Sequence, residues 1–470
     1  MLSSKEQKRL ALERVLWRWH FWAGLLCLPV ILTLATSGGI YLFKTEYQQW
    51  HDQRLLDNAK SIPVSQNPHD LERSITQLLT SRPDARFKKL QISQPDNPIV
   101  QIELKEGKQR KLYWLNRQTG EVLKEAIKGQ QLMSWLKKLH GELHAGKMGS
   151  YVVELAAQWC IVLILCGLWL SYLRQQKRSP NKRTAFRQVF WPSGKQSAYW
   201  PRHWHQLLGS WFAFAILLLL ISGLPWTQLW GSGFKELQKL AGWNSPGQEW
   251  RITLQSNDQR ALIDNSLWQI TNQEEQTKPL LSQDRPGPAS RSKDIGLNQV
   301  LNRMHSESWA YPITIQPPNH PKGVWSVRAM HSDRSRRKTV HFDRWSGEEL
   351  MRIEFHHYHP VKQLASHGIA MHEGALFGRL NQCLGALTAL GLVVLSLFAF
   401  VSWWKRRPQT TPTTAAHTFR RSPSTLLGLL MLMLLLPLFG ASLILVYLAD
   451  KIFTRSKSTV ESRLSSDDTQ

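Results

Sequence analysis

Five stretches of this chain contain no Asp, Glu, Lys or Arg: 19–43, 155–173, 203–234, 380–404 and 422–449. An α-helix needs roughly 20 residues to cross a ~30 Å hydrocarbon core, so five membrane spans are predicted. Two long polar segments between them are patterned differently. In the first, Leu71, Ile75, Leu78 and Leu79 recur at helical spacing over 69–79. β-rich runs follow at 89–93, 99–104 and 111–115, and 116–123 reads as a turn and closing strand. The second segment repeats the plan, with a helix over 295–304, strands over 312–316 and 324–330, and 338–342 leading into a turn at 343–350. Each segment is expected to fold as one helix on a small antiparallel sheet. Residues 44–68 read as an irregular connection containing Pro and Asn. Residues 231–294 read as a loosely structured insertion rich in Gln, Asn and Ser.

A formal net charge of +25 would suggest nucleic acid in a soluble protein. Topology accounts for it instead, and no nucleic-acid partner is expected. Segment 174–202 carries eight Lys or Arg and no acid, 405–421 carries five and no acid, and 1–18 carries five against two Glu. Short positive loops stay cytoplasmic, which places the N-terminus inside and 44–150, 235–379 and the tail after 450 outside. Trp17, Trp19, Trp22, Trp200, Trp204, Trp403 and Trp404 cluster near the inner ends as an aromatic belt would. A cleaved signal peptide is disfavoured for span 1, because span 3 carries the same marks in mid-chain. The four cysteines, Cys27, Cys160, Cys166 and Cys383, lie in or at the edge of apolar stretches and read as small buried apolar residues.

The chain repeats itself. His20, Gly24 and Gly38 return as His205, Gly209 and Gly223, a constant offset of 185. Four residues advance an α-helix by about 400° and eighteen by about 1800°, so each trio falls near one stripe. An imidazole at the end of a bare stripe suits a flat group lying against the helix, the shape a haem site in a bundle needs. The turn glycines Gly120 and Gly347 also match, and His140 and His367 each follow 20 residues later. Span, polar module and span are therefore read as a tandem duplication with a fifth span appended.

The chain resembles the PepSY-associated transmembrane family over roughly 14–405. The resemblance rests on the His-x3-Gly starts of spans 1 and 3, the Arg-x-x-Gly-Glu turns at 117–121 and 344–348, and the His- and Gly-rich entries at 140–149 and 367–378. It implies an α-helical polytopic protein of the bacterial inner membrane, with a four-helix core plus a fifth span and two small α+β periplasmic PepSY-like modules. The resulting division has 1–43 as N-terminus and span 1, 44–139 as the first module, and 140–173 as span 2. Then come 174–202 as a basic loop, 203–230 as span 3, and 231–366 as the second module with its insertion. Span 4 is 367–404, 405–421 is a basic loop, 422–449 is span 5, taken as lipid-facing, and 450–470 is a periplasmic tail. The family includes iron-regulated proteins and ferric-siderophore reductases, which implies a ferric siderophore or similar iron chelate as electron acceptor.

Six histidines are candidate ligands for two b-type haems: His20 and His205 on the inner side, and His140, His144, His367 and His372 on the outer side. A lone interfacial His is more often a hydrogen-bonding residue than a ligand, but duplication of the His–Gly spacing favours ligation. His140 and His144, four apart, are expected to share a helix face. His367 and His372, five apart, do so only if the helix breaks near Gly368. From His144 to Leu173 a straight helix would run ~43 Å, lifting the outer haem above the membrane unless Gly146 and Gly149 break it. His203 has no counterpart, because residue 18 is Arg. The His356-His357-Tyr358-His359 run could collect a metal but reads rather as a surface or juxtamembrane segment, and Glu154 as a snorkelling interfacial acid rather than a proton carrier. No Gly-x-Gly-x-x-Gly or P-loop is present, so the expected electron donor is a quinol or a redox protein. Two rival functions remain open at this point. One is a non-catalytic membrane protein displaying modules that bind a peptide, a peptidase or an uptake partner; the other is a siderophore permease, which the spans' lack of an internal polar pathway disfavours.

Overall fold

The computed structural model describes residues 4–59, 71–179, 181–191, 200–243, 254–256, 295–305, 307–320, 322–405 and 423–448. It divides into a helical unit (Met1–Ile40, Lys137–Lys235, Gly385–Gln470) and a sheet unit (Tyr41–Leu136, Glu236–Leu384).

The helical unit is built on α1 (Ser4–Tyr41), α5 (Gly146–Arg178), α7 (Trp200–Gly223) and α11 (Arg379–Lys405). Among the described residues these supply four helices long and apolar enough to cross a membrane. Small side chains let α1 and α5 approach: Ala23, Cys27 and Ile31 pack on Ala156, Cys160 and Leu163. The described cysteines are all free, and Cys383, unlike the other three, is exposed.

The predicted fifth span is corrected to two shorter helices, α12 (Pro423–Leu435) and α13 (Pro437–Leu448). Pro437 has no N–H to continue the ladder, so the helix stops and restarts there. Nor is this segment simply lipid-facing. Leu436 and the fully buried Phe439 pack with Ile161, Val162, Cys166 and Leu224. The Phe439 N–H, released by the break, donates to Gln158 Oε1 at 2.9 Å.

In the sheet unit, α3 (Leu71–Thr80) precedes β1 (Ala85–Ile92), β2 (Ile99–Glu106), β3 (Gln109–Asn116) and β4 (Val122–Ile127). The second half has the same order: α9 (Gly296–His305), β5 (Ile313–Gln316), β6 (Trp325–Ala329), β7 (Lys338–Phe342) and β8 (Glu349–Glu354). Each half is an antiparallel meander, and matching turns precede its last strand. Asn116 Oδ1 accepts from the N–H groups of Gln118 and Thr119, and Asp343 Oδ1 from those of Trp345 and Ser346.

The expectation of two separate modules is corrected. β1 pairs antiparallel with β5, Gln91 opposite Thr314, giving one eight-stranded sheet in the order β4-β3-β2-β1-β5-β6-β7-β8. Pairing removes two exposed edges. It also merges the apolar faces of α3 and α9 into one core, where Ile75 and Val300 join Leu90, Ile102, Ile313 and Val327. The irregular connection expected from residue 44 is instead helical at α2 (Lys44–Ala59). Leu55 and Leu56 of α2 cover Ile99, Leu112 and Trp114 on the sheet. Residues 60–70 and most of the 231–294 insertion lie outside the described residues, which include α8 (Leu229–Leu240) and 254–256.

Two helices precede spans. α4 (Leu132–Glu142) ends where Leu143 (φ 47°) and His144 (φ 57°) turn left-handed, so His140 and His144 do not share a helix face. α5 starts at Gly146, giving the break at Gly146, and runs unbroken through Gly149. Its 33 residues span about 50 Å at 1.5 Å each. α10 (Pro360–His372) is continuous through Gly368, so His367 and His372 point about 140° apart around it.

Candidate functional site

His20 sits midway along α1 and His205 one turn into α7, and their ring centroids lie 6.1 Å apart with planes at 75°. His20 Nδ1 donates to the Leu163 carbonyl on α5 at 3.0 Å. His205 Nδ1 donates to the Leu395 carbonyl on α11 at 3.2 Å. A carbonyl oxygen can only accept, so each Nδ1 carries the proton and each Nε2 holds the lone pair. That is the tautomer a metal-ligating imidazole takes when a backbone carbonyl orients it.

The helices make room for this. A Cβ on Gly167, one turn beyond Leu163, would lie 2.9 Å from His20 Cε1. The position one turn beyond Leu395 is Ala399, also small. The two rings thus stand side by side, and His20 and His205 are the residues that would hold a metal-centred group through their Nε2 atoms, were one bound between these helices. Among the described residues no group of three or more His, Cys, Asp or Glu gathers as a metal cage.

The far end of the α1 stripe is used differently from expectation. Gly38 is eighteen residues, about 27 Å of helix, from His20. The stripe is not left bare there: a Cβ on Gly38 would lie 2.7 Å from His140 Cε1. His140 Nδ1 faces the Leu34 carbonyl at 3.0 Å and Ser37 Oγ at 3.2 Å. His140 thus repeats the imidazole-on-carbonyl arrangement of His20. His144 lies in the turn after α4, its N–H reaching the Lys138 carbonyl at 3.5 Å.

His367 and His372 belong to the sheet unit. The His367 ring lies edge-on to Phe355, with centroids 5.2 Å apart. The neighbouring histidine run performs local capping: His357 Nδ1 accepts from Glu354 N–H at 3.0 Å, and His359 Nδ1 from Val361 N–H at 3.3 Å.

Glu154 is corrected from an interfacial acid to a fully buried one. Its carboxylate accepts from Leu229 N–H at 2.8 Å and Trp230 N–H at 2.9 Å, capping the start of α8. Gln158, also fully buried, donates to Glu154 Oε1 at 3.0 Å while capping α13. Sequence reasoning missed this pair of caps, and it missed the Leu163 and Leu395 carbonyls. Only Gly167 and Ser37, small residues in apolar helices, left a trace of the close approach.

Charge in the sheet unit is organised by ion pairs. Arg352 and Lys338 hold the Glu307 carboxyl down to about 2. Burial raises Asp52 above the usual carboxylate range, although His51 and Asn97 beside it oppose the shift.

No curated protein matches the chain. The profile of the PepSY-associated TM region matches residues 17–406, which covers most of the first long apolar helix, the other three and every residue of the sheet unit. By that match the chain is a membrane protein belonging to the PepSY-associated TM region family.

Proposed function

We propose that this protein is a haem-dependent oxidoreductase of the bacterial inner membrane that passes electrons outward to a ferric siderophore or similar iron chelate. The observation that carries the reading is the His20–His205 pair: ring centroids 6.1 Å apart, each Nδ1 held on a carbonyl of a different helix. Haem bound there supplies one-electron carriage within the helical unit. His20 and His205 offer Nε2, while the Leu163 and Leu395 carbonyls hold the Nδ1 protons and fix the ring orientations. Ala23, Cys27 and Ile31, on the successive turns of α1 that follow His20, are buried against α5. His140, His144, His367 and His372 remain candidate ligands for a second haem, each to be assigned by the spectrum of its own alanine variant.

Each ferric ion takes one electron to become ferrous. A quinol donor, giving two electrons and releasing two protons, therefore serves two chelates. Fe(II) binds hard oxygen donors more weakly than Fe(III), so reduction frees the metal.

The test is the visible spectrum of protein purified from haem-replete cells, oxidised and then reduced with dithionite. A reducible Soret and α band that is diminished in both His20→Ala and His205→Ala supports the reading. Colourless wild-type protein refutes it and leaves the sheet unit as a binding module.

A further inference from the structure

The segment joining α5 to α7 contains a nine-residue helix, α6 (Lys182–Phe190), started by Asn181, whose Oδ1 accepts from Arg183 N–H at 3.0 Å. Ala185 and Val189 are buried and form its inner face. Arg183 and Arg187 each stand two residues from Ala185, about 200° around the helix, and both are exposed, as is Lys182. Cations just before the helix are engaged: Lys177 pairs with Glu13 at 2.7 Å, and Arg174 donates to Gln206 at 3.3 Å. Residues 174–202 contain no acid of their own. Among the described residues, no carboxylate pairs with Lys182, Arg183 or Arg187.

Exposed aromatic rings sit among these cations. Phe186 is 62 % exposed and meets Phe190 edge-on, with centroids 5.6 Å apart. Trp191 is 70 % exposed, its ring 6.0 Å from that of Trp211 on α7. Trp211 Nε1 donates to the Phe190 carbonyl at 2.9 Å. Trp211 lies eleven residues into α7, about 16 Å along it, and α7 is one of the helices apolar enough to cross a membrane. The C-terminal end of α6 is therefore tied to the flank of a spanning helix and not held out in water.

We propose that the outward face of α6 lies in the headgroup layer of the bilayer, on the side of the basic loops, and binds anionic phospholipid. Phe186 and Trp191 reach the acyl boundary, while Lys182, Arg183 and Arg187 meet the phosphates. Charge complementarity selects the partner: unpaired cations on one short helix match a surface of phosphodiesters, and a guanidinium can grip a phosphate through two N–H groups. An acidic soluble protein would match the charges but not the rings, which need an apolar layer directly beside the charged one. The inference uses the membrane character of the chain and is independent of the redox reading.

Full-length protein carrying Cys383→Ser and Phe186→Cys, labelled with the fluorophore NBD, tests the position of the helix in nanodiscs of phosphatidylglycerol and phosphatidylethanolamine. Cys27, Cys160 and Cys166 are buried, which confines the label to position 186. Lipid bearing a nitroxide high on its acyl chain should quench the label about threefold, and a water-soluble nickel chelate should quench it little. Native mass spectrometry of protein released from unlabelled discs should show phosphatidylglycerol retained over phosphatidylethanolamine. That preference should fall about fivefold in Arg183→Glu/Arg187→Glu and change little in Arg183→Lys/Arg187→Lys. Strong quenching by the nickel chelate with none by the nitroxide lipid overturns the proposal, as does equal phosphatidylglycerol retention in wild type and the double Glu variant. The label is read with both arginines in place, so the position of the helix is tested even if charge reversal impairs folding.

Discussion

Replacing Gly167 with Ala adds one methyl group at the tightest contact of the paired-histidine site. The new Cβ would stand 2.9 Å from His20 Cε1 and 3.5 Å from its Nδ1. Carbon atoms settle at about 3.5–4.0 Å, so the ring must retreat by roughly half an ångström. Its bond to the Leu163 carbonyl, now 3.0 Å, is then stretched past the ~3.2 Å outer edge of a good N–H···O contact. Overpacking costs about 1–3 kcal/mol, and the weakened hydrogen bond up to about 1.5 kcal/mol more. Every 1.4 kcal/mol that falls on the ligating geometry is a tenfold loss of affinity, so haem retention should fall about tenfold or more. The assay is the haem-to-protein ratio by pyridine haemochrome, with the melting temperature measured beside it. Another glycine serves as a comparator. A Cβ on Gly391 would meet the Phe212 ring at 2.7 Å, so Gly391→Ala should lower the melting temperature with a smaller effect on haem content. A Gly167→Ala protein with the full wild-type haem ratio would refute the reasoning.

Glu154→Ala strips the Leu229 and Trp230 N–H groups of their carboxylate acceptor, and hydrogen bonds to a charged group contribute about 1.5–3 kcal/mol each; the melting temperature should fall clearly, and less in Glu154→Gln, which keeps one acceptor oxygen. Gln158→Leu removes the cap of the Phe439 N–H and should speed hydrogen exchange at the start of α13 relative to α5, as read by mass spectrometry. The Glu307 carboxyl is held from 4.5 down to about 2. A lowered folded-state value contributes stability that is present above about 4.5 and lost as pH falls toward 2. Melting of the sheet unit between pH 5 and 2 should therefore be less steep in Glu307→Gln, and an unchanged pH profile would contradict the ion-pair account.

Local patterning made much of the fold legible. The apolar stripe of Leu71, Ile75 and Leu78 marked α3, and every predicted strand has its counterpart in the sheet. The Asn116 and Asp343 turns were readable because a side-chain oxygen and a following glycine suffice to close them. The 44–59 helix was not read, since its polar surface hid the few apolar residues, Leu55 and Leu56 among them, that dock on the sheet. The fifth apolar stretch was read as continuous because hydropathy averages over Pro437, whereas the backbone cannot.

By itself, then, the chain's order of residues determined where helices long enough for a bilayer form, where two α+β runs recur, and which histidines stand at repeated positions beside glycine. These are properties of neighbours in sequence, governed by helix and strand periods and by charge-free length. Tertiary structure alone decided that β1 joins β5 into one sheet, that Glu154 and Gln158 cap two other helices, and that His20 and His205 rest on the carbonyls of Leu163 and Leu395. Those partners are backbone groups, the same at every residue whatever its side chain, and only the packing of distant segments brings a particular carbonyl or N–H to a particular side chain.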